Sequence, residues 1–74
     1  MIKFEKMDAT GHKTEEFNPA NVVSLKDAER RFSEIMKEGY IAVKPGPGGT
    51  PGEQLRSFDA SVEHVQFQPQ LQGG

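Results

Sequence analysis

The sequence predicts an α+β fold, with one helix packed on one face of a mixed sheet of about four strands. Three observations predict it. Ile2–Phe4 near the start and Val65–Phe67 near the end alternate apolar and polar side chains, the two-residue period of a half-buried strand. Between them Leu25, Ala28, Phe32 and Ile35 recur at spacings of 3, 4 and 3, which sets them in one stripe along an α-helix. The chain has 74 residues, 34% of them hydrophobic, so these stripes have one small core to share. A domain of that size hides only ~60% of its unfolded surface.

The first seven residues, MIKFEKM, make a strand with Ile2 and Phe4 on one side. DATGHK follows, with Asp8 and Gly11 as turn formers, and leads into TEEF, a second arm whose one large apolar residue is Phe17. Together they predict an N-terminal hairpin, closed at Pro19 because proline cannot donate to a central ladder. The helix is predicted from about Ser24 to Glu38. Ser24 is its expected cap, with Asp27 three residues on. Val22 and Val23 stand just before the cap, placed to staple the start. Gly39 occupies the position of a C-terminal capping glycine.

Tyr40–Lys44, YIAVK, is the next strand. Three prolines and four glycines in PGPGGTPG then rule out both helix and interior strand, and predict a flexible loop over 45–52. EQLRSFDAS has no clear period and offers Leu55 and Phe58 as small anchors. VEHVQFQ is the last strand, with Val65 and Phe67 alternating against His64, Gln66 and Gln68. The economical assembly sets the first and last strands side by side in the middle as a parallel pair, with the helix as their crossover. That is the β-grasp arrangement. Its predicted core joins Leu25, Ala28, Phe32 and Ile35 to Ile2, Phe4, Val43, Val65 and Phe67. Residues 1–69 form the domain, and 70–74 a flexible tail.

Composition narrows the function. With no cysteine there is no disulfide and no thiolate metal site, which suits a reducing cytoplasm. No apolar run approaches the ~18 residues of a membrane helix, so no membrane association is expected. A net charge of −2 argues against nucleic acid, whose phosphates require a basic face. PGPGGTPG is not a phosphate loop: its prolines delete donors and no lysine follows the glycines. His12 and His64 become ligands or bases only where folding gathers carboxylates around them; scattered, they are surface residues. Glu15–Glu16 and Glu34/Glu38 read as charged faces. No residue stands in a recognisable nucleophile setting. The chain is therefore expected not to be an enzyme by itself and to need neither cofactor nor metal.

The remaining feature is the end, VQFQPQLQGG. Glycine loses more freedom on ordering than any other residue, so a Gly-Gly end is either incidental or suited to passage through a narrow channel. In element order, length and tail, the chain resembles the ubiquitin-like superfamily. Locally, Phe67, Pro69, Gly73 and Gly74 are similar to the Phe-x-Pro-x-x-x-Gly-Gly ending of the sulfur-carrying small subunits of molybdopterin synthases, and Ser57–Asp59 is similar to a stretch before their last strand. EGYIAVK and QPQLQGG also look like the ubiquitin-like domains of phage tail-assembly proteins. The first resemblance implies a carrier or modifier whose carboxylate at Gly73–Gly74 is adenylated by an activating enzyme. It is then converted to a thiocarboxylate or joined to a downstream acceptor protein. It further implies partner contact at Leu71, Pro69 and Phe67. The second implies a non-catalytic interaction module of a phage or bacterial assembly system.

Overall fold

Ile2–Asp8 (β1) and Gly11–Phe17 (β2) pair antiparallel along their whole length, from Ile2 opposite Phe17 to Asp8 opposite Gly11. The second arm is thus a full strand and not the short TEEF segment. The long partner β1 supplies its ladder, so weak local propensity does not limit it. These positions come from a computed structural model that describes residues 1–8, 11–49 and 52–69. The expectation of a flexible tail at 70–74 therefore lies outside the described residues, as does the Thr50–Pro51 part of the loop.

The helix, α1, spans Val22–Lys37 and starts two residues before the predicted start. Its cap is Asn21, whose side chain accepts from the backbone N–H groups of Val23 (2.9 Å) and Ser24 (3.1 Å). Ser24 is inside the first turn, and its hydroxyl accepts instead from the N–H of Asn18 at 2.8 Å. Val22 and Val23 consequently staple nothing: they are the first helical residues, 68% and 69% exposed. At the other end Gly39 takes φ +96 and donates to the carbonyl of Met36, the expected glycine stop.

Tyr40–Lys44 (β3) follows as predicted. The glycine–proline segment contains a short 3₁₀ turn at Pro47–Gly49, and Glu53–Leu55 (β4) then pairs antiparallel with β3. His64–Pro69 (β5) completes the sheet. The sheet is mixed, with five strands in the order β2-β1-β5-β3-β4, one more strand than expected. The extra strand is β4, three residues that have too little sequence to show a period. As anticipated, β1 and β5 lie side by side in parallel, with Phe4 opposite Val65, and α1 lies on the path between them.

The core comprises Ile2, Phe4, Ala28, Phe32, Ile35, Ala42, Val62, Val65 and Phe67, with Phe17, Leu25, Met36, Tyr40, Leu55 and Phe58 packed against it. In β3 the buried residue is Ala42, not Val43. The register decides this, because Ala42 is opposite Phe67 while Val43 is opposite Gln66 on the other face. All five phenylalanines gather in this core. Phe4 is central, with ring centroids 5.0 Å from Phe17 and 5.2 Å from Phe67.

Candidate functional site

The strand that leads to the Gly-Gly end, β5, is held between β1 and β3. Its alternation sorts its residues. Val65 and Phe67 point into the core, and His64, Gln66 and Gln68 line the face opposite the helix. Phe67, expected both in the core and at a partner contact, is 0% exposed, locked between the rings of Phe4 and Phe32, and so is core and no surface contact. Pro69 is exposed and stands opposite Tyr40 as the last described residue. Leu71, Gly73 and Gly74 lie outside the described residues.

Beside the last described residues of β5, β1, the helix end and β3 converge on a charged cluster. The Lys6 ammonium donates to Glu38 Oε1 at 2.9 Å and rests 4.8 Å above the centre of the Tyr40 ring. This hydrogen bond is the chief cause that raises the Lys6 pKa and lowers that of Glu38. A lysine held in its charged form is no nucleophile. The cluster instead ties the C-terminal end of α1 to β1 and fixes Tyr40 beside Pro69. A second tie, Arg31 Nε donating to Glu15 Oε2 at 2.8 Å, fastens the helix to β2.

On the open face of the sheet, folding does bring the two histidines to a carboxylate. His64 Nε2 is 2.9 Å from Glu5 Oε1, His12 Nδ1 is 3.8 Å from Glu5 Oε2, and Lys3 Nζ is 3.9 Å from Glu5 Oε1. The pairing of Lys3 with His64 and of Met7 with His12 sets the histidines on opposite diagonals of Glu5, so they approach it from two sides. Among the described residues no group of three His, Cys, Asp or Glu side chains is arranged to hold a metal ion. The cluster lies on the face of the sheet opposite α1.

One groove of about 460 Å³ lies between α1 and the chain after β4, with Phe32, Met36 and Phe58 among its lining and Lys37 and Arg56 as its cations. The chain leaves it through a tight turn in which the Asp59 carboxylate accepts from the Ser61 hydroxyl (2.7 Å) and N–H (2.9 Å). Those bonds hold the Asp59 pKa below its usual value. No helix among the described residues is long and apolar enough to cross a membrane.

The Lys6–Glu38–Tyr40 cluster and the Glu5–His64 pair escaped sequence reasoning. The Glu5–His64 pair depends on the β1–β5 register, which brings residues 59 positions apart into contact, and the Lys6–Glu38 pair, 32 positions apart, on the helix end lying beside β1. The one available signal was that Glu5 and His64 each fall on the polar side of a strand predicted to be central. No family model matches the chain, nor does any curated protein or solved structure.

Proposed function

We propose that this chain is a ubiquitin-like protein of β-grasp fold that serves as a carrier or modifier through its C-terminal Gly73–Gly74 carboxylate. The observation that carries the reading is the placement of β5. It is a central strand, parallel to β1 with the helix on the crossover, and it ends at an exposed Pro69 from which Gln70–Gly74 continue. Pro69, the last described residue of β5, pairs with Tyr40 but has no N–H to donate to the ladder. The partners are an adenylating enzyme and a downstream acceptor protein, in the cytoplasm. Leu71 and Pro69 make the contact.

The experiment is incubation with a cognate activating enzyme and ATP, followed by intact-mass measurement. A C-terminal adenylate forms. With a sulfur donor the chain gains the mass of a thiocarboxylate, and with a ligase system it appears joined to lysines. Gly73→Ala cripples the reaction with the melting temperature unchanged, because the added methyl would obstruct the channel and not the core. Removal of both glycines abolishes it. If the truncated chain supports the host process as well as the full chain, the carrier reading is lost.

A second reading, a non-catalytic interaction module of a phage or bacterial assembly system, is favoured by one observation. The face opposite the helix carries Ile41 and Val43, both half-buried, opposite Gln68 and Gln66. Under this reading Val43→Asp abolishes partner capture and the truncated chain stays active.

A further inference from the structure

The two edges of the sheet differ. β4 presents three residues, whereas β2 presents seven, from Gly11 to Phe17 without a proline, and no described strand pairs with its outer side. An edge of that length offers a row of backbone donors and acceptors to another strand. We propose that β2 pairs antiparallel with β2 of a second copy of this chain, about a two-fold axis through Thr14, joining two sheets into one.

The register follows from backbone geometry and charge. In an antiparallel ladder each residue turns its N–H and C=O toward the same neighbour, and successive residues turn to opposite sides. Every second residue of β2 is therefore committed to β1. Two copies can bond only if outward-facing residues meet each other, so the numbers of facing residues must sum to an even value. Near the middle of the strand this leaves axes through Lys13, Thr14 or Glu15. An axis through Lys13 sets that lysine against its own copy, and an axis through Glu15 does the same with carboxylates. Like charges directly opposite are destabilising.

The axis through Thr14 avoids both and engages all of Gly11–Phe17. It sets Lys13 opposite Glu15 of the second copy and His12 opposite Glu16, each pair occurring twice by symmetry. Lys13 and Glu15 share the helix side of the sheet, where Arg31 already holds Glu15 at 2.8 Å, so the carboxylate is positioned before the partner arrives. His12, Thr14 and Glu16 are exposed. Charges on an edge strand also deter indiscriminate pairing. Here the same charges reject two registers and favour the third, which is specificity by difference.

The test uses the full chain in sedimentation velocity and native mass spectrometry at low salt, over a concentration series. Wild type forms a dimer that weakens as salt rises. Lys13→Glu sets carboxylates against each other and Glu15→Lys sets ammonium groups against each other, so each alone raises the dissociation constant roughly tenfold or more. Mixed one to one, the two variants form a heterodimer, because both facing pairs are then opposite in charge. Circular dichroism melts establish that each variant is folded, which matters for Glu15→Lys because it loses Arg31. Should a variant fail to fold, amide exchange on wild type decides: alternate β2 amides gain protection as the dimer fills. A wild type monomeric at every concentration, a dimer indifferent to Lys13→Glu, a folded pair that does not combine, or β2 amides unchanged on dimerisation would each overturn the proposal.

Discussion

Gly39 and Gly52 are glycines for opposite reasons. Gly39 sits at φ +96 with nothing within 4 Å of where a Cβ would stand, so its requirement is conformational. Gly39→Ala is expected to cost about 1–2 kcal/mol in chemical denaturation. At Gly52 a Cβ would run into the Lys44 carbonyl and stand 2.6 Å from Val43 Cγ1, so the requirement is space. Gly52→Ala should therefore separate β4 from β3, visible as lost amide protection over Glu53–Leu55 while α1 stays protected. Charged residues set the pH response. The Glu38 and Asp59 pKa values are lowered in the fold, chiefly by hydrogen bonds from Lys6 and from Ser61. Their contribution is present above the unfolded-state carboxylate values and is lost as pH falls through the folded ones. Lys6 is raised, so its contribution is full below the unfolded lysine value and lost as pH climbs through the folded one. Stability should plateau near neutrality and fall at both extremes. Glu38→Gln should flatten part of the acid limb; an acid limb identical to wild type would mean the Lys6 pair is not formed in solution.

At the scale of the element, α1 shows how a cap is chosen. Ser24 was the expected cap, and Asn21, a residue type that caps as well, takes the place. Asn21 prevails because its extended backbone, φ −105 and ψ 120, lets its side chain reach two N–H groups. Ser24 is engaged by Asn18, and the Asn18 side chain in turn accepts from Ala20 at 3.0 Å. The β2–α1 connection is thus a short chain of side-chain-to-backbone bonds. Asn21→Ala should cost about 1 kcal/mol in denaturant unfolding. Ser24→Ala should loosen the connection without removing the cap, so exchange at the Asn18 amide should rise while the Val23 amide stays protected.

At the scale of the whole molecule, five rings from five segments meet: Phe4 from β1, Phe17 from β2, Phe32 from α1, Phe58 from the chain after β4 and Phe67 from β5. Phe32 lies 6.2 Å from Phe4, 5.5 Å from Phe67 and 6.0 Å from Phe58, and so couples the helix to the sheet and to the last connection at once. Phe32→Ala should cost ~3–5 kcal/mol, a large share of the 5–15 kcal/mol typical of a small domain. Melting like wild type would show that Phe32 does not hold the layers together.

Residue order alone determined the elements that carry a period: β1, α1 and β5, their buried faces, the stop at Gly39 and the strand that follows it. The pairing of the first and last strands was also legible, because two period-two stripes and one helical stripe leave one compact way to share a core. Tertiary structure alone decided the rest. β4 has three residues, fewer than a period needs, and exists because β3 offers it a ladder. Ala42 rather than Val43 is buried because strand register, set by distant partners, selects which face turns inward. Phe67 was read both as core from its period and as a contact residue from its motif, and the central place of β5 leaves it core alone. Glu5 meets His64, and Lys6 reaches Glu38, through contacts between residues remote in the chain, which no local spacing encodes, whereas His12 comes to Glu5 across the adjoining hairpin.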